Sequence, residues 1–242
     1  MLCTQCALPL AGGDEAALFT CPNCGLVHEV RDGRLTASRA STAAITTELS
    51  VPSHLRYVAV WRLPLADSAV GDPVWDLVRR AATPRPAYLY VPAFSLARAV
   101  VQTLGVRLTE VQPLLGLTRS APVARALRPA LVDTASGAAP FPTAGFIAPS
   151  GDRAQDENAD SPGEPGSDAV SPILVGRREA WGLAYFIYMA LEARETHDLR
   201  PSDIGREPGQ EELVFLPAVW DPRCVHESNW RLLLREFDGL VA

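Results

Sequence analysis

The sequence predicts an α+β protein in which a small N-terminal module precedes a mixed α+β domain that a long acidic segment interrupts. Four of the five cysteines lie within the first 24 residues, which is typical of a metal-stabilised module. Apolar patterns of strand and helix period alternate over residues 50–132 and again over 173–242. Residues 134–172 between them are rich in Pro, Gly, Ser and Ala and lack such a period. We therefore expect one domain at 1–36 and a second, in two parts, around a linker.

The N-terminal cysteines form two CxxC pairs, Cys3 with Cys6 and Cys21 with Cys24, and fourteen residues separate the pairs. Two tight turns of this kind can present four thiolates to one tetrahedral Zn²⁺ ion. Disulfides are disfavoured because the chain opens without the basic and apolar regions of a secretory leader, which also favours a cytoplasmic location. A redox CxxC motif is disfavoured because such motifs occur singly at the start of a helix. The sequence thus predicts a closed, structural zinc site with no open position for water or substrate.

Short strands are predicted around the cysteine pairs. Residues 18–20 lead into the second pair as a strand, and residues 26–30 alternate in the manner of another. Asp32-Gly33 is typical of a two-residue hairpin turn, after which Leu35 begins the return strand. His28 is expected to be a hairpin residue, since four thiolates already complete the metal site. A module of this size requires the metal for folding, because it is too small to build a sufficient hydrophobic core.

With a second knuckle of the CPxCG type, in which Gly25 follows Cys24, residues 1–36 resemble the zinc-ribbon superfamily. The resemblance implies a structural zinc ion and a ribbon fold, and it covers about a seventh of the chain. It leaves the partner open, since zinc ribbons occur in transcription factors, ribosomal proteins, enzymes and assembly factors. Nucleic acid is disfavoured as a partner, because residues 1–36 carry a net charge of −2 and have Phe19 as their only aromatic residue.

The two parts of the second domain show strand and helix patterns in turn. Strands are predicted at 55–63 and 87–91, ended by Pro64 and Pro92, and at 211–219, where Pro217 is expected to interrupt the strand. Helices are predicted from Pro73 with Asp72 as its cap, from Ser95 to Gly105, and at 109–117, 121–132, 177–195 and 229–238. Residues 180–191 are apolar nearly all round, but they fall short of the roughly twenty residues that cross a bilayer. We therefore expect a buried core helix there, and no membrane span.

The recurrence of an apolar strand, a proline and a later helix has two interpretations. One is ordinary strand termination, since proline cannot donate a hydrogen bond to a sheet. The other is a strand–helix unit used three times in one α+β domain, with the acidic segment inserted between units. The second interpretation predicts that residues 50–132 and 173–242 fold around a shared core.

Composition excludes several kinds of chemistry. The chain has no lysine, and all 22 of its basic residues are arginine. It therefore lacks the phosphate-binding lysine of Walker-type sites, the Schiff-base lysine of pyridoxal phosphate enzymes and the lysine of protein kinases. Most of the net charge of −6 lies in residues 151–172, which carry −5. This stretch is predicted to be part of a disordered linker or long loop, or alternatively an acidic docking tether for a basic partner.

One cysteine outside the two pairs has a candidate base beside it. Cys224 and His226 lie two residues apart, so both side chains would point to one side of an extended segment. Since no oxyanion donor or orienting partner is evident, a free cysteine in a loop is the favoured interpretation and catalysis is disfavoured. His197, Asp198 and Asp203 lie in a polar loop, where solvated charge is the default interpretation.

These observations favour a non-catalytic zinc-ribbon adaptor or assembly subunit that acts through contacts with a protein partner in a larger complex. Two alternatives stay open: an enzyme whose site is not visible in the sequence, and a nucleic-acid-associated regulatory factor. The second alternative requires a stripe of arginines assembled from separate segments, for example Arg79, Arg80, Arg85, Arg125 and Arg128.

Overall fold

The computed structural model describes residues 1–46, 55–65, 73–83, 85–119, 170–195, 209–220 and 230–240. The described elements are β1 (Leu18–Thr20), β2 (Leu26–Arg31), β3 (Arg34–Arg39), β4 (Ser41–Ala43), β5 (Arg56–Pro64), α1 (Pro73–Ala82), β6 (Tyr88–Pro92), α2 (Arg98–Val111), β7 (Leu117–Thr118), α3 (Arg177–Glu195), β8 (Glu212–Trp220), β9 (Trp230–Leu232) and a 3-10 helix (Arg235–Leu240). Helices and sheets thus share the described part of the chain, and the predicted α+β class is confirmed.

Two sheets organise these elements. The first has the order β1-β2-β3 and is antiparallel, and the second has the order β6-β5-β8-β4-β7 with β9 also paired to β8. We call residues 1–39 the N-terminal module, and the second sheet with its helices the body. Only Ala40 separates β3 of the module from β4 of the body. The chain therefore passes from one sheet to the other almost without a linker.

The predicted hairpin of the module is present. Arg31 is the register partner of Arg34, so Asp32 and Gly33 form a two-residue loop. Both loop residues have positive φ, 49° at Asp32 and 71° at Gly33, as a type I′ turn requires. Such turns match the right-handed twist of the flanking strands, which explains why Asp-Gly at this point fixes the register of β2 and β3.

The two central strands of the body come from opposite sides of residues 120–169. β5 and β8 are antiparallel, in a register that runs from Arg56 opposite Ala218 to Arg62 opposite Glu212. The other edge of β8 pairs first with β4, which is parallel to it, and then with β9. Residues before and after the predicted linker therefore belong to one sheet.

Each face of the body sheet packs against a separate apolar cluster. One face carries residues such as Trp61 and Phe215, which pack with Trp75 of α1 and Tyr188 of α3. The opposite face carries alternate residues of the same strands, and it packs with α2 and the 3-10 helix through Val58, Val60, Leu104, Leu108, Val214, Leu216, Leu234 and Phe237. The period of two in a strand explains this division, because neighbouring side chains point to opposite faces.

Helix α2 differs from its predicted bounds. It begins at Arg98 and not at Ser95, since Ala97 is extended with φ −61° and ψ 142° and no side chain caps the helix. It also continues through Gly105 to Val111. Gly105 lies where the helix packs closely against its neighbours, since a Cβ there would clash with Ile187 and lie 3.0 Å from the carbonyl oxygen of Tyr90. The helix ends where Gln112 turns to φ 47°, because the following Pro113 disfavours a helical residue before it.

The predicted helix at 109–117 is therefore wrong beyond Val111, and the one at 229–238 is replaced by β9 and a 3-10 helix. In that second segment, pairing with β8 brings Trp230 opposite Trp220 and overrides the helical pattern. Helix α3 has its predicted bounds, but it is not buried all round, since Tyr185 is 40% and Phe186 48% exposed.

Proline 217 does not interrupt the third predicted strand. The carbonyl oxygen of Pro217 accepts a hydrogen bond from the N–H of Leu233, so its ring nitrogen faces the same edge of β8. That edge is paired at residues 214–215 by β4 and at 218–220 by β9, and Pro217 lies between the two. Proline has no N–H to donate, but at this position no neighbouring strand needs one, so the pairing of β8 is not broken.

Several predictions fall outside the described residues. They are residues 134–169 of the linker, the helix at 121–132, and the cap at Asp72. The last part of the predicted linker is described and belongs to the fold, since Val170 bridges Tyr57 and the N–H of Ser171 donates to the carbonyl oxygen of Tyr57 at 3.0 Å.

Candidate metal centre

The four predicted ligands come together at one point of the N-terminal module. The sulfur atoms of Cys3, Cys6, Cys21 and Cys24 all lie within 4.8 Å of one another, and all four cysteines are free thiols. The Sγ atoms of Cys3 and Cys24 are 3.5 Å apart, and those of Cys6 and Cys21 are 3.4 Å apart. A tetrahedral site with metal–sulfur bonds of about 2.3 Å has sulfur–sulfur distances of about 3.8 Å. The cluster is therefore of the right size to hold one metal ion.

The two knuckles have the same backbone conformation. In the first, the N–H of Ala7 donates to the carbonyl oxygen of Cys3 at 3.0 Å, and in the second the N–H of Gly25 donates to that of Cys21 at 2.9 Å. Both residues that follow a knuckle are left-handed, with φ 57° at Ala7 and 70° at Gly25. Glycine adopts this conformation without strain, whereas alanine does not. Because Ala7 replaces the glycine, the first knuckle has more backbone strain than the second, but its conformation is the same.

Backbone N–H groups also point at the sulfurs. The N–H of Gln5 donates to Cys3 Sγ at 3.4 Å, and the N–H of Cys24 donates to Cys21 Sγ at 3.5 Å. Such hydrogen bonds stabilise the thiolate form, which is the form that binds a metal. They arise from the tight turn of each CxxC pair, so the spacing that the sequence shows provides both the ligands and their donors.

The protein groups alone shift the pKa values of two of these thiols in opposite directions. A hydrogen bond from the backbone of Leu8 lowers the pKa of Cys6 to about 6. Burial raises the pKa of Cys24 to about 12, because a buried negative charge loses its hydration. Four thiolates at this separation repel one another, so full ionisation requires a cation among them.

His28 supports the first knuckle from β2. Its side chain is buried, and its Nε2 accepts a hydrogen bond from the N–H of Thr4 at 3.3 Å and lies 3.2 Å from Thr4 Oγ1. It is a hairpin residue, as predicted, and it does not belong to the metal-ligand cluster of the described residues. Its Nε2 contact holds the residue next to Cys3, which ties the knuckle to the hairpin.

The module packs onto the body beside the start of α3. The carbonyl oxygen of Ile173 accepts hydrogen bonds from the N–H groups of Ala17 at 2.8 Å and Leu18 at 3.3 Å. Glu29 Oε1 accepts one from the N–H of Arg177 at 3.2 Å, at the first residue of α3. A carboxylate at a helix N-terminus satisfies an unpaired N–H and opposes the positive end of the helix dipole. We call these contacts of residues 17–18 and Glu29 with residues 173–177 the docking contacts.

The other candidate residues of the sequence are less informative. Cys224, His226, His197, Asp198 and Asp203 all lie outside the described residues.

Of the arginines named for a nucleic-acid stripe, Arg125 and Arg128 also lie outside them. Arg79 forms an ion pair with Asp76 at 3.7 Å, and Arg85 donates to two backbone carbonyl groups. The stripe as a whole stays a prediction.

Sequence reasoning missed one polar cluster in the body. Arg62 lies in the middle of an apolar strand and is buried, and its Nη1 donates to Glu212 Oε2 at 3.1 Å. The sequence did indicate such a cluster, because Arg62 lies within an apolar strand and a buried arginine usually has a charged or polar partner. Its carboxylate partner, 150 positions away, could not be identified from the sequence alone.

No family model, no curated protein and no solved structure matches the chain. In the part of the chain that the structure describes, no helix is both long and apolar enough to cross a membrane. That includes α3, for which the sequence predicted the same.

Proposed function

We propose that the chain is a non-catalytic zinc-ribbon adaptor or assembly subunit in which zinc has a structural role. Four thiolates in tetrahedral arrangement favour zinc among the common divalent metals, since sulfur is a soft ligand and Zn²⁺ imposes no other geometry. Four sulfurs fill the coordination sphere and leave no position for water or substrate, so the metal would stabilise a surface and not perform a reaction. Reduced thiols suit a cytoplasmic location, which we propose together with this function.

The main support for the proposal is the exposed apolar surface of the first knuckle. Leu2 is 59% exposed and Leu8 44% exposed, although both are large apolar residues. The knuckle fixes both, because Leu2 bridges Pro9 and the carbonyl oxygen of Leu8 accepts a hydrogen bond from the N–H of Cys3. Exposed apolar side chains on a rigid turn are suited to insertion into an apolar groove of a partner protein. Zinc would then hold the binding surface in shape.

The same surface argues for a protein as partner. The net charge of −2 over residues 1–36 disfavours phosphate groups, which need clustered arginines. An apolar groove on another protein gains free energy from burying Leu2 and Leu8, at about 25 cal/mol per Å² of apolar surface removed from water. In this proposal the partner protein buries the first knuckle, and this contact brings the body to the partner.

The proposal is tested by purification of the tagged chain from its native host, in the wild-type form and with Leu2→Glu and Leu8→Glu combined. We expect a stoichiometric protein partner with the wild-type chain and its loss with the double variant. Val30→Glu is the matched control, since Val30 is 50% exposed in the same module but lies near the hairpin turn. It should keep the partner. All forms should contain equal amounts of zinc, which shows that the module is folded.

Two outcomes would contradict the proposal. One is a wild-type chain that purifies alone at native abundance. The other is a partner that the double variant retains as well as the wild type does. Recovery of nucleic acid in place of a protein, in amounts that fall as salt concentration rises, would favour the regulatory alternative.

A further inference from the structure

A second candidate site lies in the body, away from the cysteine cluster. It is a cavity of about 150 Å³ between the edge of the sheet at β6 and the segment that follows α2. Its polar wall includes Arg62, Arg85 and Tyr90, and its apolar wall includes Leu115 and Leu117. A concave apolar site with a few converging polar groups is the usual form of a small-molecule site.

The polar wall begins with a row of side chains across neighbouring strands. Arg62 of β5 has Tyr90 of β6 as its register partner on one side and Glu212 of β8 on the other. Ser41 of β4 extends the row, since its Oγ donates to Glu212 Oε1 at 2.5 Å. The next row of the same face is apolar, with Val60 among its members. The polar residues therefore lie at one end of the face, which is the end that borders the cavity.

The arginine of this row is an unusual residue for the interior of a sheet. Arg62 is only 9% exposed, and its guanidinium lies 3.8 Å above the ring of Tyr88. Its Nε is buried with no hydrogen-bond partner among the described residues. Burial of the guanidinium costs hydration free energy, and its partner in the ion pair, Glu212, has a side chain that is 33% exposed. A buried arginine that borders a cavity is suited to contact a ligand there.

The second guanidinium is held in place by the backbone. Arg85 Nη1 donates to the carbonyl oxygen of Pro113 at 3.3 Å, and its Nη2 donates to that of Gln112 at 3.1 Å. Within the described part of the chain no carboxylate pairs with Arg85. Glu212 already balances the charge of Arg62. The cavity is thus bordered by one positive charge that the described protein groups leave unbalanced.

The walls of the cavity are rigid. The side-chain amide of Gln112 accepts a hydrogen bond from the N–H of Tyr88 at 3.0 Å and donates to the carbonyl oxygens of Tyr88 and Thr109. Thr109 in turn accepts a hydrogen bond from the N–H of Tyr90 at 3.1 Å. These bonds fasten the end of α2 to β6, so the polar groups of the site are positioned before any ligand arrives.

We propose that this cavity binds a small organic monocarboxylate, with its carboxylate toward Arg85 and Arg62 and its apolar part against Leu115 and Leu117. A guanidinium binds a planar carboxylate through two parallel hydrogen bonds, and an apolar wall excludes a hydrated dianion such as phosphate. Burial raises the pKa of Tyr90, so its hydroxyl stays protonated and can donate a further hydrogen bond. This binding function is independent of the adaptor function proposed above.

The test uses the full chain and three probes of similar size or charge: benzoate, its neutral counterpart benzamide, and inorganic phosphate. Binding is measured by isothermal titration and by chemical shifts of the backbone amides of residue 112 and residues 114–117. We expect saturable binding of benzoate, and binding of benzamide that is roughly tenfold weaker or more, as the loss of a charge-assisted hydrogen bond implies. Phosphate should not displace benzoate.

Two variants locate the site. Arg85→Gln should weaken benzoate binding roughly tenfold or more, for the same reason. Leu117→Glu adds a negative charge at an exposed position of the cavity wall and should weaken binding without altering the arginines. Arg178→Gln is the matched control, since Arg178 is an exposed arginine of α3 outside the cavity, and it should bind benzoate like the wild type.

Four outcomes would overturn the proposal, and the first three concern benzoate. They are an absence of saturable benzoate binding to the wild-type chain, equal affinity for benzoate and benzamide, and unchanged affinity in Leu117→Glu when its circular dichroism spectrum is that of the wild type. Phosphate binding that exceeds benzoate binding would also exclude an organic carboxylate as the ligand.

Discussion

The N-terminal module and the body differ in what occupies their interiors. In the module, the buried apolar side chains apart from cysteines are Leu18 and Val27, and both pack into the cluster that surrounds Trp61 of the body. The body buries large side chains on both faces of its sheet, for example Phe215 on one face and Leu216 on the other. The module therefore has a cluster of thiols where the body has a hydrophobic core. On the proposed function, a metal ion would supply folding free energy to the first, whereas burial of apolar surface supplies it to the second.

Because different interactions stabilise the two regions, we expect them to unfold under different treatments. The module depends on ligands that lie close in sequence, whereas the body depends on strands that are far apart in it. The docking contacts, the packing of Leu18 and Val27 against the body and the chain at Ala40 join the two, so we expect damage to one region to reach the other across these contacts.

The largest effect is expected from loss of a metal ligand, in Cys21→Ser. Structural zinc contributes about 10–16 kcal/mol to folding of zinc-finger peptides, and three remaining thiolates do not hold the ion with comparable affinity. The metal content after desalting should fall from one zinc per chain to a small fraction of that value, as elemental analysis will show. Cys224→Ser is the control and should keep one zinc per chain. A Cys21→Ser chain with full zinc content would contradict the assignment of the ligands.

Acid should remove the metal in a graded way. Binding requires four thiolates, and at pH 7 Cys6, with a pKa of about 6, is already ionised whereas Cys24, with a pKa of about 12, is protonated. Zinc binding therefore releases protons at pH 7, and it releases one more below pH 6, where Cys6 is protonated as well. Zinc affinity therefore decreases as the pH is lowered. Below pH 6 the logarithm of the affinity should decrease more steeply, by about one further unit for each pH unit. Competition with a chromophoric chelator from pH 5 to 8 measures this slope, and an unchanged slope would contradict the shift of Cys6.

The body should lose the most stability from a cavity in its core, in Phe215→Ala. Truncation of a buried phenylalanine typically costs about 3–5 kcal/mol. Unfolding can be followed by tryptophan fluorescence, because all five tryptophans lie outside the module. The metal content should stay at one zinc per chain, since no ligand is touched. Val30→Ala, at an exposed position, should change stability by about 0.5 kcal/mol or less. If Phe215→Ala lost its zinc as well as the stability of the body, the separation of the two regions would be contradicted.

A smaller effect is expected at the docking contacts, in Glu29→Gln. The substitution keeps an acceptor for the N–H of Arg177 but removes the charge at the start of α3, which typically costs about 1 kcal/mol. Hydrogen exchange at the amides of residues 17–18 and 177 should become faster. Arg31→Gln removes the exposed partner of the same carboxylate and should cost less than about 0.5 kcal/mol. Equal effects of the two variants would show that Glu29 does not fasten the module to the body.

The smallest effects compare the two knuckles. Gly25→Ala forces a Cβ into a left-handed conformation and should destabilise the module by about 1 kcal/mol. Ala7→Gly removes the same strain and should stabilise it by a few tenths of a kcal/mol, up to about 1 kcal/mol. Thermal release of zinc to a chelator compares the pair, and shifts of the same sign in both would contradict the equivalence of the knuckles.

The sequence predicted the parts of the molecule that local chemistry determines. The CxxC spacing led to the four sulfurs, Asp32-Gly33 to the hairpin turn, and the apolar period to the bounds of α3. It did not predict features that depend on distant contacts. Gly105 stops no helix because Ile187 packs against it, and residues 230–232 form a strand because β8 offers an open edge. The pairing of Arg62 with Glu212 was missed for the same reason, since the sheet brings the two together.

We propose that metal binding maintains the fold of the module and that apolar burial maintains the fold of the body. Hydrogen exchange with mass spectrometry on the full chain, before and after removal of metal with a chelator, tests this claim. We predict that peptides from β1, β2 and β3 lose their protection when the metal is removed, whereas peptides from β5 and β8 keep theirs. Protection that persists in the module, or that is lost equally from β5 and β8, would contradict the claim.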